Sequence, residues 1–118
     1  MTAPRITLAD IEANIDSEYY FTAMDGALGS AWTDGSDAFE RLIAETFDHG
    51  HPLQLLAFCV LILRNGCTVT GESACVSPEN FDAVLGQKIA RENAINKAWP
   101  LMGYALKQKL FESSASDS

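Results

Sequence analysis

Two β-prone runs, residues 55–63 and 67–75, flank Arg64-Asn65-Gly66, and no other part of the chain restricts its fold as much. Asn-Gly between such runs selects a tight hairpin, because both residues accept the positive φ angles that match strand twist. A two-residue turn at Asn65-Gly66 sets Leu63 opposite Thr68, Leu61 opposite Thr70 and Cys59 opposite Glu72. No two cysteines then align. Cys59, Cys67 and Cys75 show neither a CxxC nor a metal-type spacing, so reduced thiols are expected. The first run is apolar on both faces, with Phe58, Val60 and Ile62 on one and Cys59, Leu61 and Leu63 on the other. It calls for a cover on each side, and in a chain of 118 residues a second subunit is one way to supply one of them.

The remaining elements follow from caps and spacing. Thr7 ahead of Leu8, Ile11 and Ile15 predicts a short helix with Asp10 in its first turn. Residues 18–24 predict a strand that Asp25-Gly26 ends, and the Gly- and Ser-rich residues 26–35 a loop carrying Trp32. Ser36 or Asp37 then caps an amphipathic helix whose Phe39, Leu42, Ile43 and Phe47 share a face, ending near Gly50. Ser77-Pro78-Glu79-Asn80 starts a long helix, since Pro suits the first helical position and Glu the positive end. Trp99-Pro100 breaks or kinks it, a further helix covers residues 101–111, and the Ser-rich residues 113–118 are expected to be a disordered tail. The fold class is α+β: a small antiparallel sheet with a central β-hairpin (about 55–75) packed by a long C-terminal helix (about 79–98) and shorter helices. Residues 1–112 form a single domain.

The composition, 47% hydrophobic and 20% charged, is that of a globular protein with a core. The net charge of -8 argues against a long-duplex nucleic-acid binder, which needs phosphate-neutralising cations. That charge is unevenly placed. Residues 1–55 hold ten acids against Arg5 and Arg41, whereas residues 56–112 hold five acids against six Lys and Arg. The two halves either attract each other, or offer an acidic face to a basic partner and a basic pocket to a small anion. The start, Met-Thr-Ala-Pro-Arg, has no apolar leader, and the longest apolar run is too short to span a bilayer.

On the long helix, Phe81, Val84, Leu85, Ile89, Ile95 and Trp99 make one apolar stripe and Ala83, Gly86, Ala90 and Ala94 a narrow one opposite. Two packable faces imply burial on both, within the chain or between subunits. Lys88 and Glu92 stand four residues apart within the broad stripe and either pair or edge a polar pocket with Arg91. The candidate ligand-binding residues are Phe81, Lys88, Arg91, Asn93, Lys97 and Tyr104: cations for phosphate, an amide for base or ribose, aromatic faces for stacking. A solvated helix face is the alternative. His49 and His51 lack a third ligand at a recognised spacing, and the chain contains no nucleophile elbow, phosphate-binding Gly loop or HExxH. No metal, no cofactor and no enzyme activity are expected.

The stretches Leu-Arg-Asn-Gly-Cys-Thr-Val-Thr-Gly-Glu-Ser-Ala-Cys (63–75), Pro-Glu-Asn-Phe-Asp (78–82), Ile-Ala-Arg-Glu-Asn-Ala-Ile-Asn-Lys-Ala-Trp-Pro-Leu-Met-Gly-Tyr (89–104) and Glu-Tyr-Tyr-Phe-Thr-Ala-Met-Asp-Gly (18–26) closely resemble a family of small tailed-phage and prophage proteins of the "forty-nine/sixty-six" type. The resemblance covers about residues 7–110. It implies phage origin and hence the host bacterial cytoplasm, with no family-wide enzyme activity, metal or cofactor. A more distant likeness, in size and in a hairpin followed by basic helices, is to phage anti-defence sponges, oligomers that sequester cyclic ADP-ribose-type or cyclic-nucleotide immune signals of Thoeris-like defences. It implies a homo-oligomer that binds a small anionic nucleotide, without membrane or long-duplex partners. The alternative is a protein-directed inhibitor, of the anti-CRISPR or anti-restriction kind, working through the acidic N-terminal half.

Overall fold

A computed structural model describes residues 3–35, 37–48 and 50–116. Ser36, His49 and the end of the Ser-rich tail, residues 117–118, lie outside the described residues. The chain is α+β, in the order α1 (Leu8–Ala13), β1 (Ile15–Thr22), α2 (Ala23–Asp34), α3 (Ala38–Glu45), β2 (Leu56–Leu63), β3 (Thr68–Ala74) and α4 (Ala83–Ser116). Single 3-10 turns lie at Pro52–Gln54 and Pro78–Asn80. The strands form one antiparallel sheet in the order β1-β2-β3, so the most apolar strand is the central one.

The hairpin forms as expected, but one residue out of the predicted register. Ile62 pairs with Thr68, Leu61 with Val69 and Cys59 with Gly71. Residues 64–66 make a three-residue loop: the Gly66 N–H donates to the Leu63 carbonyl (2.9 Å) and the Leu63 N–H to the Cys67 carbonyl (2.8 Å). Gly66 takes the left-handed conformation (φ 91°), and Asn65 does not. Its side chain instead accepts from the Cys67 N–H at 2.9 Å. Packing decides the register, because the shift places Val69 and Gly71, rather than Thr70 and Glu72, on the face that α4 covers.

That face is unusually close to the helix backbone. A Cβ on Gly71 would overlap the Ala90 carbonyl oxygen and the Ala94 amide nitrogen. Ala90, Ala94 and Ala98 line the contact and are fully buried, with Cys59, Leu61, Val69, Ile95 and Ile11 completing the core. From Gly86 onward the small-residue stripe therefore packs within the chain, while Ala83 stays exposed. The broad stripe opposite is not covered as expected: Val84 is 77% exposed, and Phe81, Leu85, Ile89 and Trp99 remain exposed too, while Ile95 turns into the core.

Several helical expectations need correction. The strand expected over 18–24 ends at Thr22, and residues 23–34 form α2 in place of its end and of the loop expected over 26–35, because Thr22 and Asp25 make a capping box: the Asp25 N–H donates to Thr22 Oγ1 (3.2 Å) and the Thr22 N–H to Asp25 Oδ2 (2.9 Å). Gly35 ends it in the left-handed conformation (φ 63°). Asp37 precedes α3 without a side-chain capping bond, and α3 ends at Glu45, leaving Phe47 exposed. Ser77 and Pro78 open only the 3-10 turn, whereas Asp82 Oδ1 accepts from the Val84 and Leu85 N–H groups (3.0 and 3.2 Å) and starts α4. From there α4 runs unbroken through Pro100 to Ser116, including part of the expected tail. Pro100 is exposed, so water can meet the Asn96 carbonyl that lacks its usual donor. Among the described residues no helix is long and apolar enough to cross a membrane.

Gly71→Ala should lower stability by about 2–3 kcal/mol, because helix backbone cannot give way as a side chain can. Gly29→Ala, in α2 with nothing within 4 Å of the added carbon, should raise it by roughly 0.5–1 kcal/mol. Urea unfolding of the two variants beside the parent checks both signs.

Candidate functional site

The Arg91 side chain is the best-connected of the six candidates, and its partners lie inside the chain. Its Nη1 and Nη2 donate to the two oxygens of Glu12 in α1 (2.8 and 2.6 Å), and its Nε donates to Glu18 Oε1 in β1 (2.7 Å). All three guanidinium nitrogens are engaged, which ties α4 to α1 and β1. The Tyr20 hydroxyl donates to the same Glu18 oxygen at 2.8 Å. Hydrogen bonds from Arg91 hold Glu12 and Glu18 below the ordinary carboxylate range, and the pair in turn raises Arg91. Burial, reinforced by the bond to Glu18, pushes Tyr20 well up, and burial likewise raises the Cys59 thiol.

Asn93 and Lys97 occupy another flank of α4, against β3. Asn93 Nδ2 donates to the Glu72 carbonyl (2.9 Å) and Lys97 Nζ to Thr70 Oγ1 (3.4 Å). Tyr104 lies about two to three turns further along α4 and is exposed. No ion pair within 4.0 Å involves Lys88 or Glu92 among the described residues. Glu92 instead edges a groove with Leu8, Glu12, Ile95, Asn96 and Trp99. The six candidates thus do not converge on one pocket within the chain.

Phe81 does stand at a crevice. Leu55, Ala57, Leu85 and Ile89 give it an apolar floor, and Ser73, Asn80 and Asp82 a polar rim, around a volume of about 130 Å³. It is more enclosed than the groove at Trp99 or a second crevice between α2 and α3. The second crevice holds Trp32, 70% exposed and edge-on to Phe39 at 5.0 Å, beside Asp37 and Glu40. The Thr22–Asp25 capping box is the sequence signal that places Trp32 on a helix rather than in a loop. Nothing in the spacing pointed to Glu12 and Glu18 as the partners of Arg91, which are more than seventy residues away.

The His loop is a local structure. His51 Nδ1 accepts from the Leu53 N–H (3.2 Å) and Nε2 lies 3.0 Å from Glu45 Oε2. No group of three or more metal-ligating side chains occurs among the described residues. Cys59 is buried, Cys67 exposed and Cys75 half-buried, all as free thiols.

Residues 6–110 match the phage protein (N4 Gp49/phage Sf6 gene 66) family. The chain belongs to this family. No curated protein and no solved structure matches it. The family match spans the Arg91–Glu12–Glu18 tie, the Phe81 crevice and the Trp32 crevice alike.

The tie makes this phage protein acid-sensitive in a defined way. Because the folded values of Glu12 and Glu18 are depressed from 4.5, their stabilisation is complete above that pH and is lost as pH falls through the lower folded values. Arg91→Ala should therefore remove about 1 kcal/mol at about pH 7, a modest figure because both carboxylates are over a third exposed. The gap between parent and variant should narrow as pH falls below 4.5, as read from urea midpoints.

Proposed function

We infer that this phage protein acts by binding rather than by catalysis, and that it counters host defence by sequestering a nucleotide-type immune signal in the host cytoplasm. The observation that carries the reading is the Phe81 crevice, an apolar slot with a few polar groups at its rim and an aromatic ring at its mouth. A volume of about 130 Å³ suits one base or sugar and leaves the phosphates outside. Phe81 supplies a stacking face, Asn80 and Ser73 hydrogen bonds and Lys88 a cation for phosphate, while Lys97, bonded to Thr70 further along α4, reaches only an extended ligand. Asn93 and Tyr104 would meet the ligand only where it extends along α4. Arg91 serves as a positioning residue, since its nitrogens are already bonded to two carboxylates. A small anion bound this way is compatible with the acidic net charge, because most of the acid belongs to residues 1–55.

A second reading rests on the other crevice. Trp32 beside Asp37 and Glu40 has the chemistry to receive a Lys or Arg side chain of a basic host protein, through ring face and carboxylate together. This is the protein-directed inhibitor, working through the acidic half.

Calorimetry with a panel of cyclic nucleotides and cyclic ADP-ribose isomers separates the two. Sequestration predicts heat with at least one member, weakening of about tenfold or more in Phe81→Ala, and the same ligand recovered unchanged by chromatography. Absence of heat with every member would falsify it. The second reading predicts instead a salt-sensitive complex with a host protein, lost when Asp34, Asp37 and Glu40 are reversed to Lys and kept in Phe81→Ala.

A further inference from the structure

The uncovered face of the sheet is apolar where it ought to be wet. On the side packed by α4, Cys59, Leu61 and Leu63 are at most 3% exposed. On the other side Phe58, Val60 and Ile62 stay only half-buried, flanked by Tyr19 (55% exposed) and Phe21 of β1, which stacks on Phe58 at 5.5 Å. Thr68 and Thr70 of β3 complete the patch. A solvated antiparallel face normally alternates to polar residues, and β2 does not. We propose that this face is covered by the same face of a second copy of the chain, sheet against sheet.

The surface area supports a partner of that size. The chain exposes 8179 Å², whereas a compact monomer of its mass exposes about 6,300 Å². The excess, roughly 1,900 Å², is more than twice the ~800 Å² that each partner contributes to a standard interface. The radius of gyration, 19.4 Å against about 13.5 Å for a compact chain of this length, reflects the elongation that the 34-residue α4 gives the chain. Part of the excess lies on the end of α4, where exposed Leu101, Tyr104 and Phe111 are interspersed with Lys107, Lys109 and Glu112. The centre of the sheet patch, made of Tyr19, Phe21, Phe58, Val60 and Ile62, carries no charge, while Glu72 opposite Phe58 and the Lys97 ammonium on Thr70 stand at its β3 margin.

Charge and shape select a copy as the occupant. Two chains of net charge -8 repel, which favours contact through the uncharged centre of this patch over contact through the acidic helices α2 and α3. A two-fold axis along β2 lays the bulky β1 side of one copy, with Tyr19 and Phe21, over the small threonine side of the partner's β3. Large then meets small twice, and the packing is self-complementary.

The test is the mass of the full chain by native mass spectrometry and sedimentation velocity across a dilution series. The parent should be a dimer that dissociates on dilution. Tyr19→Glu and Thr70→Glu, both on edge strands, should weaken the dimer by about tenfold or more while keeping the parent's circular dichroism. Val84→Glu, equally exposed but on α4, should leave it unchanged. Two variants guard against one of them failing to fold. A parent that stays monomeric at every concentration overturns the proposal, as does a dimer that survives both sheet substitutions or one that Val84→Glu dissociates.

Discussion

The structure depends on one close approach, that of the α4 backbone to β3 at Gly71. Glycine there, with Ala90, Ala94 and Ala98 opposite, removes every side chain that would hold helix and sheet apart. The helix can then shield Cys59, Leu61 and Val69 from water although its own contribution to the core is mostly methyl groups. The same contact selects the strand register. With Thr70 or Glu72 turned inward in place of Gly71, the helix would meet a polar side chain and no backbone contact would be possible.

Settling α4 by its small stripe has a consequence for its other faces. Leu85, Ile89 and Trp99 stay at the surface, and they build the crevice at Phe81 and the groove beside Glu92. The helix is also held from the side. Arg91 grips Glu12 and Glu18, while the Arg64 guanidinium and backbone N–H donate to the Ala13 and Asn14 carbonyls and join the hairpin loop to the end of α1. These ties carry the opposite charges of the two halves of the chain into contact within the fold. The dipolar charge pattern is thus partly structural, and the acid that remains outward is concentrated on α2 and α3, around Trp32.

Much of the fold was legible because its signals are local. Thr7 with Asp10, the hairpin around Asn65-Gly66, the apolar alternation of β2 and the helical character of residues 83–98 each depend on neighbours within a few positions. The misreadings were local competitions too: Thr22-x-x-Asp25 outweighed the glycines of α2, Asp82 outcompeted Ser77 as the cap of α4, and Pro100 stayed within a helix whose exposed face tolerates it. The candidate site was less legible. Asn93 and Lys97 are where helix geometry puts them, but Phe81 lies in extended backbone ahead of α4, Arg91 has partners that no spacing announces, and the crevice floor comes partly from Leu55 and Ala57 outside α4.

The amino-acid sequence by itself determined an α+β chain with a central hairpin, a long C-terminal helix, two small-residue and apolar stripes, and a division of charge between its halves. It also required a cover for both faces of β2. Only the tertiary structure decided which stripe packs, which residues of β3 face it, and which cation is consumed in holding the fold. Those choices rest on contacts between residues far apart in the chain, where backbone proximity and charge pairing in space outweigh anything a local pattern can specify.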